Sequence, residues 1–349
     1  MANLKKLPLV ISIIALFSFI ATAKAEIKVV TSIKPIHSLA SYIMDGVGSP
    51  DVIVDGYSSP HGFQLKPSHA KMLENADIIF WIGEGLENFL EKPLDTISKK
   101  AKKIEFLEVK GIKKLKFREK NIFDGHDDHG HEEEGHDEHK HEEDEHKHEE
   151  DEHKHEEDEH KHEEDEHKHE EDEHDGHDDH GHGEYDPHIW LDPENAKLMV
   201  KVITKELSEL DSKNASIYEK NSKKALSDLD KLIKKVKKDT NKDLRFVAFH
   251  DAYHYYEDRF GINLLGALTV NPDVLPGAEQ LAEIREVIEY EKVNCIFSEP
   301  QFNPDIIKSI AKDTGIKTGV LDPLGANLDK GKNLYFDLIK NISTSFKGC

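Results

Sequence analysis

Hydrophobic positions along the chain fall into distinct regimes. Residues 7–20 are almost continuously apolar. Across residues 26–123 short apolar runs alternate with stretches of helical spacing. Strands are predicted at 27–32, 52–54, 78–82 and 104–107, and helices at 36–45, 67–75 and 86–97. A heptad-repeating segment follows in which no position of the heptad is apolar, so a coiled-coil seam is excluded. Asp192-Pro193-Glu194 then opens more than forty helical residues. Met199, Val202, Ile203, Leu207 and Leu210 share one face, and Tyr218, Ala225, Leu229, Leu232, Ile233 and Val236 repeat the spacing. The strand–helix alternation resumes afterwards, with strands at 246–249, 263–267, 295–298 and 317–321 and helices at 250–260, 276–291 and 303–314. The expected architecture is α/β: two lobes of mostly parallel sheet flanked by helices, joined by a long connecting helix.

The first apolar run reads as export. Lys5 and Lys6 precede it, and Ala23-Lys24-Ala25 supplies small residues before a cleavage point, giving a Sec-type signal peptide at 1–25. An uncleaved anchor helix is the alternative, but the run is short for a bilayer span. Neither cysteine lies near the cleavage point, which excludes a lipid anchor on the first mature residue. An even cysteine count in an oxidising compartment suggests a Cys295–Cys349 disulfide, with two free thiols as the other reading. Such a bridge contributes roughly 3–4.7 kcal/mol in the chain-entropy account.

Charge changes the picture only locally. The formal net charge is −24, yet residues 124–184 carry 32 carboxylates against five lysines. The mature remainder is neutral, so no basic surface is left for nucleic acid. That segment holds 18 of the 24 histidines, and residues 139–173 are five copies of His-Lys-His-Glu-Glu-Asp-Glu. With no apolar side chains to offset ordering entropy, it is expected to be a disordered insert. Its closely spaced imidazoles, His139, His141, His146, His148, His153, His155, His160, His162, His167 and His169, suit a weak accessory metal store.

Candidate chemistry lies where predicted strands end, because open parallel sheets bind ligands beyond their carboxyl edges. His250, Glu299 and Asp322 each follow a strand, His61 lies in a Ser-Ser-Pro-His-Gly loop, and His188 lies where the insert rejoins the chain. Three imidazoles suit zinc. A loop histidine is more commonly solvated or capping, so spacing alone decides little. His37 reads as an N-terminal turn residue, His69 and His254 as solvent-facing helical residues, Glu84 as a cleft or cap residue, and Asp251 as a partner of His250 or a helix-start carboxylate.

The motifs Ser59-Pro60-His61, Asp186-Pro187-His188-Ile189-Trp190, Phe249-His250-Asp251-Ala252-Tyr253, Ser298-Glu299-Pro300-Gln301-Phe302 and Leu321-Asp322-Pro323-Leu324-Gly325 occur in this order. Together they resemble the zinc-specific solute-binding proteins of bacterial ABC importers, from about Val29 to the last residue, and the His- and acid-rich insert is itself a feature of zinc members. The resemblance implies that His61 and His188 from the first lobe and His250 from the second hold Zn2+. Manganese or iron relatives commonly carry a carboxylate where His250 stands. Pro60 replaces the acidic residue that precedes the first histidine in some zinc members, which leaves the fourth ligand open among water, Asp322 and Glu299. The resemblance also implies the Cys295–Cys349 bridge and a monomeric periplasmic protein without catalytic activity. Its implied partners are a membrane permease with its ATPase, and periplasmic metal chaperones. The domain division expected is 26–123 and 185–211 for the first lobe, 212–240 for the connecting helix and 241–349 for the second lobe. A zinc hydrolase using Glu299 as base, a metal buffer and a manganese- or iron-binding relative are the competing readings.

Overall fold

A computed structural model describes residues 27–118 and 183–349, except 273 and 275. The signal peptide and nearly all of the 124–184 insert, including its ten repeat histidines, lie outside the described residues. Those residues form one compact unit. Among them no helix is long and apolar enough to cross a membrane.

The first sheet is built from β1 (Val29–Ile33), β2 (Asp51–Val54), β3 (Ile78–Trp81) and β4 (Lys102–Glu105), all parallel, in the order β2-β1-β3-β4. Its central strands β1 and β3 are buried along their whole length, as expected of strands covered on both faces. The covering helices are α1 (Lys34–Ile43), α2 (Pro67–Glu74) and α3 (Asn88–Thr96).

Beyond the insert the expected helical run is two helices, α4 (Pro193–Leu210) and α5 (Ala215–Asp239). Asp211 breaks the run: its carboxylate accepts from the Asn214 amide (2.7 Å) and the Tyr218 hydroxyl (3.0 Å), fixing a tight turn. Lys197 near the start of α4 reaches Asp230 in mid-α5 at 2.6 Å, so the two helices fold back on one another as a hairpin.

The second sheet repeats the first. Strands β5 (Arg245–His250), β6 (Asn263–Thr269), β7 (Cys295–Ser298) and β8 (Lys317–Val320) are all parallel, in the order β6-β5-β7-β8. The helices α6 (His254–Phe260), α7 (Ala278–Tyr290) and α8 (Asp305–Thr314) connect them. The helix expected from residue 250 begins instead at His254, because β5 runs on through His250. A ninth helix, α9 (Leu334–Lys347), is absent from the sequence expectation; it buries Leu334, Leu338, Ile342 and Phe346. The last residue after it, Cys349, is bonded to Cys295 at the head of β7 across 54 positions, with Cα atoms 5.9 Å apart. The bridge thus ties α9 to the second sheet, and closing that loop contributes about 4 kcal/mol in the chain-entropy account.

The two halves are joined by buried polar links as well as by α5. Lys34, 3 % exposed, donates from Nζ to the carbonyls of Gly325 (2.7 Å), Ala326 (3.1 Å) and Leu328 (2.9 Å). Trp190 Nε1 donates to Pro323 O at 2.8 Å, and Arg259 grips the buried Asp192 carboxylate through two 2.6 Å bonds. Asp192 also caps α4, accepting the Glu194 N–H at 2.8 Å.

Candidate metal centre

The order of each sheet places a topological switch between its two central strands, the position where parallel sheets bind ligands. In the second sheet His250 is the last residue of β5 and Glu299 directly follows β7, so both stand at that switch. His61 comes from the loop after β2, where Ser59 Oγ accepts its N–H at 3.2 Å. His188 comes from the Asp-Pro-His turn: Asp186 Oδ1 accepts the His188 backbone N–H at 2.9 Å, an Asx-type turn that aims the ring. A single 3-10 turn, Ile189–Leu191, follows and buries Trp190 against the His188 ring, 5.2 Å between centroids.

The three rings converge. His188 Nε2 lies 3.4 Å from His61 Nε2 and 3.4 Å from His250 Nε2. Ligating nitrogens of all three fall within 4.8 Å of one another, and His188 and His250 are buried. The opposite ring nitrogens explain what faces inward. His188 Nδ1 is 2.7 Å from Asp186 Oδ1, an oxygen already accepting the His188 amide, so the ring is the donor there. His250 Nδ1 likewise donates to Glu299, 2.8 Å from Oε1 and 2.7 Å from Oε2. A neutral imidazole that donates from Nδ1 has a bare lone pair on Nε2. Two such lone pairs facing each other at 3.4 Å repel unless a cation lies between them.

Charge around the site is layered. Burial holds His188 well below the usual imidazole range, with His250 adding to the effect. Burial pulls hardest on His250, but the Glu299 carboxylate, with Asp251 and Asp186, outweighs it and the net shift is upward. Burial pushes Asp186 up to about 7 against the pull of the His188 N–H, His254 and Arg118. Arg118, at the edge of the insert, donates to Asp251 (2.8 Å) and to both oxygens of Glu257 (3.1 Å each), reaching from the first half of the chain to the second. The roots of the insert stand side by side: Lys116 bridges Tyr185, and the Tyr255 hydroxyl accepts the Leu115 N–H (2.9 Å) while donating to Asp186 O (2.7 Å).

The residues picked from sequence separate cleanly. His61, His188 and His250 come together; among the described residues they are the group of side chains arranged to hold an ion. Glu299 stands behind His250, bonded to its outer nitrogen, and Asp322 is spent on the backbone N–H groups of Leu324 (3.1 Å), Gly325 (2.9 Å) and Ala326 (2.6 Å). Neither carboxylate belongs to the converging group. Asp251 pairs with Arg118, so the partner of His250 is Glu299. His37 is buried at 5 % exposure. His69 accepts the Lys66 N–H at the start of α2 and stacks on Phe63. His254 is partly buried with Nδ1 3.9 Å from Asp186. Glu84 is exposed; the buried carboxylate of that loop is Glu87, which accepts the N–H groups of Ile82 and Gly83. Sequence reasoning also passes over Asp186, although a carboxylate two residues before a histidine has Asx-turn spacing.

Two parallel-sheet halves enclosing three converging imidazoles, two of them buried, define a solute-binding protein for a soft-to-borderline metal ion. The sequence model of the family described as zinc-uptake complex component A, periplasmic (ZnuA), matches residues 29–349, and the chain belongs to that family. The high-affinity zinc uptake system protein ZnuA of Brucella abortus is 44 % identical over 351 residues, covering 100 % of this chain and 99 % of that one. Its counterpart in Haemophilus influenzae is 42 % identical, covering 99 % of each. Among solved structures, a crystal structure of ZnuA superposes with TM-score 0.66 at 21 % identity, covering 92 % of this chain and 99 % of that one. The laminin-binding adhesin of Streptococcus agalactiae superposes equally well, TM-score 0.66 at 22 % identity, with 92 % and 98 % covered. These two likenesses establish the fold.

Proposed function

We propose that the chain captures zinc in the periplasm through His61, His188 and His250 and hands it to the permease of an ABC importer powered by its ATPase. One observation carries the reading. Zinc bound tetrahedrally at about 2.0–2.1 Å from each imidazole sets neighbouring nitrogens about 3.3–3.4 Å apart. The His61–His188 and His188–His250 separations are both 3.4 Å. The carboxylates behind two of the rings supply the outer partners that metal-bound histidines need. A site of neutral nitrogen donors favours zinc over manganese, which prefers oxygen.

Capture, not turnover, fits the arrangement, since the carboxylate nearest His250 is engaged by that ring. The remainder of the reading concerns processing and organisation. Residues 1–25 are removed as a Sec signal, no lipid is attached, and the mature protein acts as a monomer, receiving zinc in part from periplasmic metal chaperones. Residues 26–123 and 185–211 form the first lobe, 212–240 the connector and 241–349 the second, while the histidines of 124–184 hold further zinc weakly. A reconstituted permease with its ATPase tests delivery: zinc-loaded protein should stimulate ATP hydrolysis more than zinc-free protein. Equal stimulation by both forms would count against a delivery role.

A further inference from the structure

Three imidazoles leave a tetrahedral ion with one open position. This inference rests on the zinc reading and concerns what fills that position. Besides the histidines, the polar side chains lining the cavity are Ser59, Glu299 and Gln301. Ser59 Oγ accepts the His61 N–H, and Glu299 takes the His250 Nδ1–H on Oε1 while its Oε2, buried and unbonded, lies 2.7 Å from that same nitrogen. Gln301 differs. Its Nε2 donates to Asp322 Oδ1 at 3.0 Å, while its Oε1 is buried and has no hydrogen-bond partner within the protein. The orientation is settled by chemistry, because an ionised carboxylate only accepts and so must face the amide nitrogen. A buried carbonyl oxygen left without a donor has lost the hydrogen bonds of water and is unfavourable until a donor reaches it.

Asp322 is itself immobilised. Beyond Gln301 it accepts three backbone N–H groups of its own turn, which closes at Gly325 in the left-handed region with φ of 72°. Swinging this carboxylate onto the ion forfeits all four bonds. We propose that the fourth ligand is a water whose hydrogen Gln301 Oε1 accepts, with Asp322 acting only to fix the amide. Gln301 is then a positioning residue: it completes the site with a neutral water in place of a carboxylate, which disfavours hard cations that prefer anionic oxygen ligands. A bound water is also the readily exchanged ligand, so release begins at that position.

Cobalt(II) added at one equivalent to the full-length protein reads this directly, since its visible bands report coordination number and donor type. Wild type should show a four-coordinate spectrum with nitrogen donors. Gln301→Met, similar in length but without the acceptor, and Gln301→Ala should both alter those bands and weaken zinc by about 10–100-fold, the range for loss of an outer partner. Both variants should keep a single cooperative unfolding transition in the zinc-free state, because Asp322 retains its three backbone N–H bonds. Unchanged bands and affinity in both variants, beside a normal wild-type spectrum, overturn the role of Gln301 alone. A wild-type spectrum lacking imidazole nitrogen donors overturns the metal centre and this proposal with it.

Discussion

His188 and His250 come from opposite halves of the fold and point their Nε2 atoms at each other across 3.4 Å, each ring donating from Nδ1 to its own buried carboxylate. Asp186 and Glu299 therefore choose the tautomers and hold the lone pairs inward. Replacing either carboxylate removes an outer partner while leaving all three imidazoles. Asp186→Ala and Glu299→Ala should each weaken zinc by about 10–100-fold. Competition with a calibrated chelator measures this, and unchanged affinity in both would mean that the rings are oriented by packing alone.

Zinc affinity should fall toward low pH, because zinc must displace the proton held by His250. Burial pulls His250 down, and Glu299 with Asp251 and Asp186 more than restores it, so its pKa in the folded protein lies above the usual 6.5. His188, held well below that value by burial, stays neutral. A proton that zinc displaces therefore sits on His250. Binding declines as pH falls through the His250 pKa, by about tenfold per pH unit for this proton alone. Chelator competition across that range checks the slope; a pH-independent dissociation constant contradicts it.

Lys34 should matter to the loop that carries His61. Its ammonium gathers the carbonyls of Gly325, Ala326 and Leu328, and the same stretch of chain meets the His61 loop through Lys330–Asp55 (2.8 Å) and the Tyr57–Asn327 hydrogen bond. Lys34→Met removes the ammonium donor from the Ala326 and Leu328 carbonyls and leaves Gly325 O only the Leu328 N–H (3.0 Å), and should cost roughly 2–4 kcal/mol of stability. Denaturant unfolding of the zinc-free protein measures the loss, and a variant within about 0.5 kcal/mol of wild type would contradict the latch.

Acid should destabilise the zinc-free protein through His37. Burial, helped by Lys330, holds its folded pKa down at about 4, against 6.5 when exposed. Between those values the unfolded chain takes a proton that the folded chain refuses. Stability therefore rises with pH in that window and is lost as pH falls through it, by up to about 3 kcal/mol. His37→Gln should flatten the acid limb of a plot of unfolding free energy against pH; an identical limb would assign the loss to other groups.

Much of this fold is legible in the linear pattern. The buried runs of β1 and β3 and the Asp192-Pro193 start of α4 are local signals, and they appear where expected. The missed helix α9 has a usual start residue in its N-cap Asn333, and Leu334, Leu338, Ile342 and Phe346 keep a helical spacing, so it too is legible in the sequence. At the metal centre the ordered motifs single out His61, His188 and His250, because the residue types carry the chemistry. Which carboxylate stands behind which ring is not local information. Asp251 neighbours His250 in sequence yet pairs with Arg118, while Glu299, 49 positions away, takes the ring. Asp322 has the right chemistry for a ligand, but three backbone N–H groups claim it, a fact that only the folded turn reveals.

The central claim is that these three imidazoles, not the histidine-rich insert, make the tight zinc site. Zinc titration against a competing chelator, on protein lacking residues 124–184 with and without His250→Ala, tests it most directly. The account predicts one tight zinc per chain in the deleted protein, and an affinity loss with His250→Ala beyond the 10–100-fold expected for an outer partner. Tight binding that survives both changes would place the site elsewhere.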